Sequence, residues 1–183
     1  MAHRFFDGNR QSNAAANNWR RSAMEMPKVT EQHLLIQRLA GTWVGEEKMH
    51  PSPWSPGGTR TGRYDHRIIC DGFFVAGDYV QMDANKTTYT GHAVFGVDPA
   101  TQETTWYWVD SMGVPPASPA RGRWEGGTLA LIGRDNKDQI HGRYTFAFVG
   151  PERIRFSIEN TRDGGKSWST FLEAEYTRTR PPT

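Results

Sequence analysis

Leu39-Ala40-Gly41-Thr42-Trp43-Val44-Gly45 is the stretch on which the fold turns. A short amphipathic segment runs into Gly-Thr-Trp, and beyond it the apolar residues recur with a period of two. A Trp at the start of the first strand, with only antiparallel strands after it, predicts a barrel closed at its base by the indole ring. Closed barrels of this size enclose a cavity, so the pattern points first to small-molecule binding.

The segment before Gly41 predicts a short helix from Thr30 to Ala40. Thr30 suits the N-cap, Glu31 suits the positive N-terminal end, and Gly41 can end the helix. Leu34, Leu35 and Leu39 form its apolar stripe, with Ile36 at the edge. Such a helix can pack beneath the barrel and cover the closed end.

After Gly41 ten strands are predicted: 42–50, 60–70, 73–82, 87–96, 104–112, 120–125, 128–134, 139–149, 153–161 and 166–179. The joints between them carry turn residues, among them Asp71-Gly72, Asp83-Ala84-Asn85, Gly126-Gly127 and Asp163-Gly164-Gly165. No helical pattern separates the strands, which argues against parallel crossovers. The expected fold is all-β, a ten-stranded antiparallel up-and-down barrel with a short N-terminal helix over one end. Two longer, Pro-stiffened connections, 51–58 and 113–119, fall at the same end of a meander and should rim the open mouth.

The 183 residues fit one barrel domain, 29–180, preceded by a flexible extension, 1–28. Hydrophobic content is 36% and mean hydropathy −0.72, and seven Trp, nine Phe and six Tyr supply large buried areas to offset this. The net charge is +2 and unevenly placed: residues 1–29 hold five basic and two acidic side chains, net +3, which leaves −1 for the rest. The barrel region is almost neutral, which argues against nucleic acid. No apolar run approaches a membrane span, and no secretory signal core is present. Cys70 is the only cysteine, so an intramolecular disulfide and a Cys-rich metal site are excluded, and a reducing, cytoplasmic compartment is expected. Phe5, Phe6 and Trp19 of the extension are able to dock on the barrel or on a second subunit, as in a homodimer.

Period two assigns some side chains to the interior. Trp43, Gly45, Glu47 and Met49 share a face, so Glu47 is expected inside with Trp43. His66 shares a face with Tyr64 opposite Arg63, Asp65 and Arg67, and is expected inside. On the last strand Leu172, Ala174 and Tyr176 form the core face, which places Glu173 outside. For the fifth strand both faces are core-like, and for His92 the direction stays open. The histidines lack any local zinc spacing, and neither metal nor cofactor is expected. Trp54, on the Pro-rich first loop, has no core to join and is a candidate to close over a ligand, with His50 beside it. His50, Trp54, His66, His92, Trp108 and Asp110 are therefore expected to line or gate one cavity.

Leu39-Ala40-Gly41-Thr42-Trp43, Met49-His50-Pro51-Ser52-Pro53-Trp54, Asp71-Gly72-Phe73-Phe74, Gly91 to Gly96, Tyr107 to Gly113 and Ile158-Glu159-Asn160 together resemble the bacterial DUF1579 family of the calycin or lipocalin-like superfamily. The resemblance runs from about His33 to Arg180. It implies a calycin-type barrel and no established activity; its motifs include His50, Trp54, His92 and Asp110. Gly41, Trp43 and Gly45 are also similar to the opening of nitrobindin-type haem barrels. Those use a late His as iron ligand, whereas the last His here is His141 with two strands still to come, which argues against haem.

Two main functions compete at this level. One is binding of a small, mainly apolar or aromatic molecule in the barrel. The other is a barrel enzyme of isomerase, cyclase or lyase type, with His66, His92, Asp110 or Glu47 as acid or base. An inward His–carboxylate pair would favour the enzyme, and isolated polar groups in a cavity would favour binding. A protein-interaction module using the extension is a third reading.

Overall fold

The computed structural model describes residues 26–53 and 55–181. Most of the expected extension, residues 1–25, and the candidate Trp54 lie outside them. Helix α1 (Glu31–Gln37) precedes ten antiparallel strands: β1 (Gly41–Met49), β2 (Gly58–Ile69), β3 (Phe74–Asp83), β4 (Lys86–Val97), β5 (Thr104–Asp110), β6 (Ala120–Glu125), β7 (Thr128–Arg134), β8 (Ile140–Gly150), β9 (Arg153–Asn160) and β10 (Ser169–Arg180). Each strand pairs with the next in sequence, and β10 returns to pair with β1, which closes the barrel. Trp43 therefore has Tyr64 of β2 on one side and Arg178 of β10 on the other. The turn chemistry explains the tight links. Ala84 and Asn85 (φ 46° and 72°) and Gly126 and Gly127 (φ 54° and 85°) form two-residue hairpin loops whose twist matches that of the strands.

The base closes as the Gly-Thr-Trp opening requires. Trp43 is buried, and its indole N–H donates to the Leu39 carbonyl at 2.9 Å. The Arg178 guanidinium lies 4.3 Å over the indole ring, and Ile36, Leu39 and Ala40 are buried beside it. The helix face differs from the expected stripe. Leu34 is 56% exposed, while His33 and Ile36 are the buried side chains of α1. Two local contacts set that rotation. His33 Nδ1 accepts the Thr30 N–H at 3.0 Å, and its ring meets Phe73 edge-on at 5.2 Å. A second correction concerns Cys70. The strand stops at Ile69, and Cys70 begins a 3-10 turn, Cys70–Gly72, with φ 51° and an exposed side chain. The helix packs against β3, β4 and this turn.

Inside the barrel, the half nearer the base is filled. Phe95, Trp106, Phe146 and Phe156 pack ring against ring, with Phe146 and Phe156 centroids 4.5 Å apart. No helix among the described residues is long and apolar enough to cross a membrane.

Candidate functional site

The half of the barrel nearer the mouth is hollow. A cavity of about 570 Å³ lies between the β1–β2 loop, the β5–β6 loop and the packed aromatic layer. Its floor is built around Glu47, which is fully buried. Three neutral donors hold this carboxylate. Tyr79 donates at 2.7 and 2.8 Å to its two oxygens, Gln81 Nε2 donates to Oε2 at 2.7 Å, and the Tyr176 hydroxyl donates to Oε1. Burial keeps the Tyr64, Tyr79 and Tyr176 phenols far above their ordinary pKa, and the Glu47 charge adds to this, so they stay protonated donors. Gly62 makes room for this arrangement, because a Cβ there would collide with Glu47 Oε1 and stand 2.7 Å from the Tyr176 hydroxyl.

The wall nearer the mouth carries a second carboxylate. Asp110 Oδ2 accepts from the Tyr89 hydroxyl at 2.6 Å and from Trp108 Nε1 at 2.9 Å, while Oδ1 accepts the Met112 N–H at 2.9 Å. Burial, followed by the bond to Asp110, raises the Tyr89 phenol. The Tyr144 phenol is raised by burial and by the Asp110 charge. The Trp108 ring lies over Gly91 on β4, where a Cβ would collide with it. Around it stand Trp106 at 5.3 Å, Tyr79 at 5.7 Å and Tyr89 at 6.5 Å between centroids. The indole N–H of Trp106 is buried without an acceptor among the described residues.

One seam of the barrel is short. β5 pairs with β6 only over Thr104, Thr105 and Trp106. Beside the unpaired half of β5, under the 113–119 loop, lies a second hollow of about 330 Å³. It shares Trp106, Trp108, Asp110 and Tyr144 with the main cavity.

Of the six residues expected at one site, Trp108 and Asp110 line the cavity. His66 points inward but sits deeper, near the base. Its Nδ1 faces the Leu39 carbonyl at 3.3 Å, Nε2 has no partner among the described residues, and burial lowers its pKa to about 4. His92 is on the outer face, with Nδ1 2.7 Å from Asp78. His50 is also outside the cavity, with Nε2 2.9 Å from Glu173. These two do not join the others, because the odd-numbered residues of β4 and β1 take the interior. Trp54 lies outside the described residues. The sequence reading missed Tyr79, Gln81, Tyr89 and Tyr144. For Tyr89 a signal existed, since Ala93 and Phe95 make its face of β4 more apolar than that of His92. Among the described residues no three His, Cys, Asp or Glu side chains converge as a metal site would need.

Two solved structures share this architecture. Rv2717c from M. tuberculosis aligns with a TM-score of 0.61 at 12% identity, over 84% of this chain and 100% of that one. The S-type phycobiliprotein lyase CPES from Guillardia theta aligns with a TM-score of 0.58 at 12% identity, over 82% and 93%. At that identity the likeness is one of fold. No curated protein matches the sequence. The model of the family described as a protein of unknown function, DUF1579, matches residues 28–178, and the chain belongs to that family.

Proposed function

We propose that the protein binds one small, mainly aromatic molecule in the mouth half of the barrel, with Trp108 and Asp110 in contact with it. The observation that carries this reading is the cavity of about 570 Å³, walled by indole and phenol rings and furnished with a few polar groups. Its size falls within the range of about 300–1,000 Å³ usual for small-molecule sites. Acid–base catalysis by an inward histidine is the weaker reading. His66 meets a backbone carbonyl, and the two cavity carboxylates are held by phenol, indole, amide and backbone donors.

Native mass spectrometry of protein purified from its own host tests the proposal, with a co-purifying small mass as the expected result. A titration with the neutral dye Nile red complements it. The dye should emit strongly with the wild type and weakly with Leu172→Trp, which fills the cavity from β10. No co-purifying mass together with unchanged dye emission overturns the reading.

A further inference from the structure

Resting on the reading of the cavity as a binding site, we infer that the bound molecule carries a positive charge beside its ring. The class is an arylalkylammonium ion, seated against Asp110 and the surrounding indole and phenol rings.

The first argument is charge. Among the described residues, every hydrogen bond to the Asp110 carboxylate comes from a neutral group: Tyr89, Trp108 and the Met112 amide. Those to Glu47 come from Tyr79, Gln81 and Tyr176, which are neutral as well. Neutral donors solvate a carboxylate without cancelling its charge. The lining cation is Arg60, which stands opposite Glu47 in the β1–β2 register. Its guanidinium turns instead to the Asp83 carboxylate at 3.4 Å and the Thr59 carbonyl at 2.8 Å. The cavity thus presents negative charge that no described cation meets as an ion pair.

The second argument is the rings. Aromatic faces carry negative potential, and a cation over them is attracted, more so when water is excluded. Trp108 has the rings of Trp106, Tyr79 and Tyr89 around it, and its N–H lies on Asp110. A carboxylate and several aromatic rings lining one volume favour a cation, tolerate a neutral ring and repel an anion.

Three probes of similar size separate these cases by calorimetry at pH 7: tryptamine as the cation, tryptophol as the neutral analogue and indole-3-propionate as the anion. The full-length wild type should bind tryptamine about tenfold more tightly than tryptophol, with indole-3-propionate the weakest. Asp110→Asn keeps the side-chain shape and should remove most of that preference. Asp78→Asn, on the outer face beside His92, should leave all three unchanged. Equal or tighter binding of tryptophol or indole-3-propionate overturns the charge assignment and leaves the binding reading standing. So does a cation preference that survives in Asp110→Asn. Failure of all three probes to bind the wild type counts against both.

Discussion

Glu47 and His66 are ionisable side chains of the barrel interior, and their surroundings treat them in opposite ways. Glu47 keeps three donors from β3 and β10 around its oxygens. Removing it leaves buried phenol and amide groups unpaired, each costing about 1–3 kcal/mol. Glu47→Ala is therefore expected to destabilise the fold by at least about 3 kcal/mol in urea denaturation, and Glu47→Gln by less, since the amide oxygen still accepts. A loss below about 1 kcal/mol for Glu47→Ala would contradict this role. His66 has no comparable support, and its folded pKa of about 4 lies below the ordinary 6.5. The unfolded chain then binds the proton first as pH falls. The fold loses stability between pH 6.5 and 4, by about 3 kcal/mol at the acid end, and keeps it above pH 6.5. His66→Phe removes the titrating group and the unpartnered Nε2, so the stability difference between the two proteins should shift in favour of the variant across that window. Parallel pH profiles for the two would refute the assignment.

At the scale of elements, the base and the β5–β6 seam have different jobs. β1 begins at the base, where Trp43 joins the segment after α1 through the Leu39 carbonyl and is capped by Arg178 of β10. Truncating a buried aromatic leaves a cavity that the rigid strand ends cannot fill. Trp43→Ala should cost roughly 3–5 kcal/mol by chemical denaturation, and a loss under about 1 kcal/mol would remove the ring from its structural role. The β5–β6 seam is the place where the wall is thin. Pairing stops at Trp106, and the next residues that face inward are Trp108 and Asp110. Proline at 115, 116 and 119 keeps the following loop from extending the ladder, since proline has no N–H to give. Trp108 and Asp110 thus stand on a half-strand paired on one side only, with β4.

At the scale of the whole molecule, the order of strands and much of the inward set were legible in the sequence. Alternation with turn residues marks ten strands because hairpin chemistry is local. It orients β1, β2 and β10 because one face of each is visibly more charged or less apolar. Glu47 inside and Glu173 outside follow from that rule. The rule is silent on β5, where Trp106, Trp108 and Asp110 on one face compete with Tyr107 and Val109 on the other. The interior face is settled by the closed register, which sets Gly91 opposite Asp110 and Phe95 opposite Trp106. Depth along the barrel axis is equally invisible to a period-two pattern. His66 and Asp110 both face inward, yet one lies against the base and the other near the mouth. The partners of Glu47 come from 32, 34 and 129 residues away. The sequence by itself determined the strands, their turns, the closed base and the family. The cavity, its two carboxylates held by neutral donors and the separation of His50, His66 and His92 from the Asp110 wall arose only on closure, because they depend on contacts between distant strands that no local pattern records.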